Sequence, residues 1–184
     1  MEITLEHLLE ARPRIAFART RQFAEKQPPI VDTATPELED HHREELAEWQ
    51  AKAAQGDAYA QWMMGRAAEK NLITPGGPEA ADGWYRQAAA GGSPQAINDL
   101  AVALHRRCDP DPALGDTLVA EYEKAADGCV AEALCNLGLV FHHYRGYTGR
   151  HKGNVFFEEA QAEGVAEAAA LLKENQTGLK VPSN

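Results

Sequence analysis

Gln87-Ala88-Ala89-Ala90-Gly91-Gly92-Ser93-Pro94-Gln95-Ala96 reads as the end of one helix, a tight turn and the start of the next. The alanines favour helix, the glycines stop it, and Ser93-Pro94 supplies a cap and a first-turn proline for its successor. The phrase recurs along the chain. Gly56, Gly92, Gly128 and Gly164 follow one another every 36 residues. A small residue comes shortly after each, at Ala60, Ala96, Ala133 and Ala168, and four positions later a large apolar one, at Met64, Leu100, Leu137 and Leu172. An aromatic precedes each glycine, at Trp49, Tyr85, Tyr122 and Phe157. A period of 35 to 37 residues with helical punctuation predicts stacked helix-turn-helix units, an all-α solenoid.

Working outward, the first complete pair is expected over residues 57–70 and 79–90, around the turn Thr74-Pro75-Gly76-Gly77-Pro78. The second is expected over 93–107 and 112–127, and the third over 130–144 and 154–163. A helix from Thr35-Pro36 to Ala54 completes a truncated leading repeat, and a polar helix over 165–176 closes the stack as a cap. Residues 177–184 are expected to be a flexible tail. Upstream, residues 1–36 form a leader. Ile3, Leu5, Leu8 and Leu9 predict a short amphipathic helix, and Pro13 the first turn of another that carries Ile15, Ala16, Phe17 and Phe23 to Lys26. Pro28 to Pro36 then reads as an extended connector. The small residues at 60, 96, 133 and 168 are expected to let paired helices cross closely. The four aromatics are expected to wedge between successive layers.

The residues from Gln87 to Ala96, and Lys124-Ala125-Ala126-Asp127-Gly128 followed by Ala133-Leu134-Cys135-Asn136-Leu137-Gly138, resemble the Sel-one-like repeat family, a relative of the tetratricopeptide repeat. Trp84-Tyr85 and Met64-Gly65 fit that family's Trp-Tyr and Leu-Gly pairs. The resemblance covers residues 37–176. It departs at Gly128, one position early relative to Ala133, at Ala101, where the Leu-Gly pair has its glycine, and in loops that lack Gly-Val-Asp. The resemblance implies a right-handed α-solenoid that acts by binding protein, with no catalytic residues to carry over.

Composition narrows the partner. A net charge of −10 and a pI near 5.1 repel phosphate backbones, so nucleic acid is not expected and a protein with a basic surface is. Two basic clusters run against this sign: Arg12, Arg14, Arg19 and Arg21 in the leader, and Arg145, Arg150, His151 and Lys152 in the expected loop of the third repeat. Three cysteines argue for a reducing compartment. The chain start has neither the basic nor the apolar part of a signal peptide, and no membrane span is read. The expected location is cytoplasmic.

Catalytic, metal and cofactor sites are not expected. His41-His42 and His142-His143 are adjacent pairs, which point about 100° apart on a helix and chelate poorly. The stretch from Cys108 to Asp116 lacks the glycine and the terminal glutamate of a calcium loop. Cys129 and Cys135 read as packed apolar groups, although His142 shares a face with Cys135 as a conceivable base. Gly76-Gly77 lacks a following lysine to reach phosphate.

The acting surface is read from helical periodicity. If Ala60, Met64, Ala68, Ala96, Leu100, Leu104, Ala133, Leu137 and Phe141 are buried, the opposite faces of the first helices present the partner-binding candidates. These are Tyr59, Trp62, Met63, Arg66, Glu69, Asn98, Asp99, His105, Asn136 and His142, with Gln95, Val102, Arg106, Glu132, Leu139 and His143 on the same faces. Trp62 is expected either to pack against the leader helices or to serve a partner as an aromatic anchor. Asn98-Asp99 and Asn136 resemble carboxamide-and-acid clamps on a peptide backbone. The leading expectation is a non-enzymatic binding protein, such as a cytoplasmic immunity protein that neutralises a bacterial toxin. The alternative is an adaptor that joins two proteins, and a hydrolase is the remote one.

Overall fold

The computed structural model describes residues 4–9, 12–16, 40–107, 112–144 and 146–178. Among the described residues there are helices and no strand, so the chain is all-α. The helices are α1 (Leu5–Leu9), α2 (Asp40–Ala54), α3 (Ala58–Glu69), α4 (Pro78–Ala90), α5 (Pro94–Arg107), α6 (Pro112–Asp127), α7 (Ala131–Tyr144), α8 (Gly146–Ala162) and α9 (Ala166–Gly178). Helices consecutive in the chain pack together: α2 on α3, α3 on α4, α6 on α7, α7 on α8 and α8 on α9. The chain forms two compact units. One takes in α1 to α4 and α5 as far as Leu100, and the other takes in residues 14–16, α5 from Ala101, and α6 to α9.

The repeat junctions share one backbone device. Gly56, Gly92 and Gly164 have φ of 90°, 85° and 88°, the left-handed region where a Cβ is costly. At each, two amides turn back onto the ending helix. Gly92 N–H donates to Ala89 O and Ser93 N–H to Ala88 O, with the same pairs at Gly56–Asp57 and Gly164–Val165. In the third junction this position is filled by Cys129 (φ 64°), not Gly128. Cys129 N–H donates to Ala126 O and Val130 N–H to Ala125 O. The early glycine in the sequence is thus a slip of register, and the true junctions stand 36, 37 and 35 residues apart at 56, 92, 129 and 164. Cys129 is exposed rather than packed, contrary to the sequence reading, because the turn carries it outward. A side chain at positive φ costs roughly 1 kcal/mol. Cys129→Gly is therefore expected to raise unfolding free energy by about that amount in urea melts, and a loss of stability would show that the thiol contributes packing.

The repeated aromatics pack closely, inside helix pairs. A Cβ added to Gly65 of α3 would fall 2.4 Å from Tyr85 Cε1 of α4, and one added to Gly138 of α7 would fall 2.4 Å from Phe157 Cε1 of α8. The glycine of each Met-Gly or Leu-Gly pair leaves the space that the ring fills. The rings of Tyr85 and Phe157 thus each lie over a glycine of the other helix in the pair, and Tyr85 also belongs to a buried cluster with Ala96 of α5. Tyr85, Tyr122 and Phe157 are fully buried, and Trp49 is half-buried against Ala53, Ala60 and Met64. Of the predicted core stripe, Ala60, Met64, Ala68, Ala96, Ala133 and Leu137 are buried, whereas Leu100, Leu104 and Phe141 are half-buried.

Three segments depart from expectation. Residues 12–16 are not helical, although Pro13 is suited to a helix start. Their main-chain groups are bonded by side chains far away in sequence, which offers the backbone an alternative to helix. The rest of that predicted helix, the connector to Pro36 and the Thr35 cap lie outside the described residues. The second correction concerns the basic loop: α8 starts at Gly146, so Arg150, His151 and Lys152 are helical. Gly149 and Gly153 are buried there, and a Cβ at Gly153 would sit 2.8 Å from Gly138 O. The weak helix propensity of these glycines is overridden by their close packing. Lastly, α9 runs on through Thr177 and Gly178. Residues 179–184 and 108–111 lie outside the described residues.

Candidate functional site

The ten candidate residues fall into one group in the first unit and separate places in the second. In the first unit, α3 presents Tyr59, Trp62, Met63, Arg66 and Glu69, and α5 brings Asn98 and Asp99 to the same face. This face is covered by the chain itself. Leu5 and Leu9 of α1 are completely buried in one cluster with Trp62, Met63, Ala67 and Tyr85. Trp62, Met63, Asn98 and Asp99 have essentially no exposure, and Arg66 little. As an open partner-binding face, the expectation fails for these five residues: α1 packs with Trp62 and Met63 and takes a bond from Arg66, and Asn98 and Asp99 are fully buried.

Polar groups that follow Trp62 into the core are linked to one another. Trp62 Nε1 donates to Asp99 Oδ2 at 2.9 Å. The Arg66 guanidinium lies 3.9 Å from both Asp99 and Glu69 and donates from Nη2 to Leu9 O at 3.2 Å. Tyr85 OH donates to Glu69 Oε2 at 2.9 Å. A buried arginine between two carboxylates is compensated, and it spends a remaining donor on the last carbonyl of α1. At the rim, Leu5 N–H donates to Glu45 Oε2 and Tyr59 OH to Glu6 Oε1. Burial, followed by the bond and the charge of Glu6, raises the Tyr59 pKa.

In the second unit, Asn136 of α7 holds the non-helical segment Arg14–Ala16. Its Oδ1 accepts from Ala16 N–H at 2.6 Å and its Nδ2 donates to Arg14 O at 3.0 Å. Arg106 of α5 donates from Nη2 to Ile15 O at 2.9 Å. In an extended chain, the carbonyl of one residue and the amide two residues on point to one side, and the carbonyl between them points to the other. The three bonds follow that alternation, so the carboxamide acts as a neighbouring strand would. Asn136 is fully buried, and Ile15 and Ala16 are buried beneath it. Arg14, Ile15 and Ala16 are the occupants that sequence reasoning missed. Their signal is weak: a short apolar run, Ile15 to Ala18, between Arg14 and Arg19.

His105 and His142 do not join that clamp's hydrogen bonds. His105 Nδ1 lies 3.3 Å from Tyr122 OH and its Nε2 lies 3.5 Å from His143 Nδ1. His142 bonds Asn154 and stacks on Phe157. Burial above all, then the charges of His143 and Arg106, lowers the pKa of His105 to about 4. Burial lowers that of His142, against the bond from Asn154, and that of His143, with the charge of His142 adding. An unfolded histidine takes its proton near pH 6.5. Between there and pH 4 the unfolded chain binds a proton that folded His105 refuses, so stability falls as pH falls and is flat above that window. The expected loss from His105 at pH 5 is about 2 kcal/mol. Urea midpoints at pH 7 and pH 5 measure it, and His105→Gln should shrink the drop by that amount. An unchanged drop would assign the acid sensitivity elsewhere.

Burial pushes the Cys135 thiol up to about 12, with Glu167 and Glu132 adding. A thiol kept protonated is a poor nucleophile. Among the described residues no three or more His, Cys, Asp or Glu are grouped to hold a metal ion, and no helix is long and apolar enough to cross a membrane. No protein-family model, curated protein or solved structure matches this chain.

Proposed function

We propose that this chain is a non-enzymatic binding protein, a right-handed solenoid of Sel-one-like repeats, that holds a segment of another protein by its backbone. The observation that carries this reading is Asn136, whose buried carboxamide bonds both main-chain groups that flank Ile15. A side chain spent this way recognises polypeptide as such, independently of the residue between. The four left-handed junctions, spaced as tandem helix pairs require, support the repeat architecture. The net charge of −10 favours a partner with a basic surface, as in a cytoplasmic immunity protein that neutralises a basic toxin.

Tagged full-length chain recovered from its source cells is the test, followed by reconstitution with each retained protein after purification. One basic partner is expected, binding in the micromolar range or tighter and weakening several-fold as salt rises from 50 to 300 mM. Failure of every retained protein to bind when purified overturns the reading. Two partners bound at once would replace the inhibitor form with the adaptor form.

A further inference from the structure

Residues 14–16 are held in a manner open to exchange. Three polar contacts to them are made to backbone: Arg14 O, Ile15 O and Ala16 N–H. Another polypeptide offers the same groups, provided that its third residue is not proline. Of the segment's side chains, Ile15 and Ala16, a β-branched residue and a small one, are buried, and Arg14 is half-buried with its Nε away from solvent. The clamp is built from two different helices, α5 and α7, and its central side chain is fully buried. Asn136 makes two hydrogen bonds to the segment, so an exchange that replaces both is favoured over simple release.

We infer that residues 14–16 are an intrachain stand-in for the partner, and that the Asn136–Arg106 clamp receives an extended partner segment with a β-branched residue followed by a small one. This rests on the binding-protein reading and deepens it. The stand-in lowers apparent affinity by the fraction of molecules in which it is seated, which sets a threshold for capture.

The probe is a capped, labelled peptide with the sequence of residues 12–17, titrated into full-length protein and read by fluorescence anisotropy. Wild type should bind it weakly. Ile15→Asp combined with Ala16→Pro removes the buried apolar side chain and the donated amide, and should tighten peptide binding about tenfold or more. Adding Asn136→Asp, which replaces the donor to the first carbonyl with an acceptor, should reverse that gain, and Arg106→Gln should reverse part of it. A peptide with proline in place of its Ala16 equivalent should bind about tenfold more weakly to the opened protein, and it keeps the test decisive if Asn136→Asp does not fold. Equal binding by wild type and the opened variant, or indifference to the proline, overturns the inference. A partner whose binding to full-length protein ignores Asn136→Asp and Arg106→Gln would overturn the clamp and leave the binding-protein reading standing.

Discussion

Trp62→Ala is expected to lower unfolding free energy by about 3–5 kcal/mol, a large share of the roughly 5–15 kcal/mol that holds a typical domain. Trp62 is 1% exposed and is packed with Leu5 and Leu9 of α1, so truncation opens a cavity that those side chains cannot fill without moving α1. It also takes the 2.9 Å donor from Asp99, a carboxylate with no exposure. Trp62→Phe separates the two effects. It keeps most of the apolar volume and removes only the indole N–H, for an expected loss of about 1–3 kcal/mol. Urea unfolding of wild type and both variants checks the order. A surface anchor for a partner would give the opposite result, with both variants as stable as wild type and only binding impaired.

The second large effect concerns the ring seated on a glycine. Helix propensity alone says that Gly138→Ala stabilises α7 by about 1 kcal/mol. The tertiary structure reverses the sign. The new methyl would meet Phe157 Cε1 at 2.4 Å and Gly153 O at 2.9 Å, and the second of these is backbone that cannot swing aside. Overpacking of this kind costs about 1–3 kcal/mol or more. Phe157→Ala should cost about 3–5 kcal/mol, since the ring is fully buried. The two losses should not add. Once the ring is gone the methyl has space, so Gly138→Ala in the Phe157→Ala background should be close to neutral apart from Gly153 O. A double-mutant cycle in urea therefore shows favourable coupling of about 1–2 kcal/mol. Strict additivity would mean that Phe157 does not lie across Gly138.

The two ring-on-glycine contacts also explain which parts of the fold are readable from sequence. The Met-Gly or Leu-Gly pair and the aromatic some 20 residues later are visible as a pattern along the chain, at Gly65–Tyr85 and Gly138–Phe157. That they meet is a matter of helix approach, which no pattern states. In the third junction the sequence shows a glycine at 128, but a single added residue moves the left-handed position to Cys129. Hydrogen bonds to Ala125 and Ala126 decide the register there, and a glycine one residue early has no means to signal it.

What the amino-acid order determined by itself was local: all-helical structure, the ends of most helices, the repeat period and the apolar stripe from Ala60 to Leu137. These follow from backbone sterics, capping and 3.6-residue periodicity, which act over a few residues. The state of the candidate surface was decided only in three dimensions. Periodicity identifies the helix face opposite the stripe, but that face is exposed only if nothing else covers it. Trp62 is covered by α1 within the first unit, Asp99 is buried against Trp62, and Asn136 reaches back 120 residues to Ala16. Contacts of such separation arise from shape and unpaired polar groups brought together late in the chain's path, and for that reason the clamp was suggested by its residue types while its occupant was not.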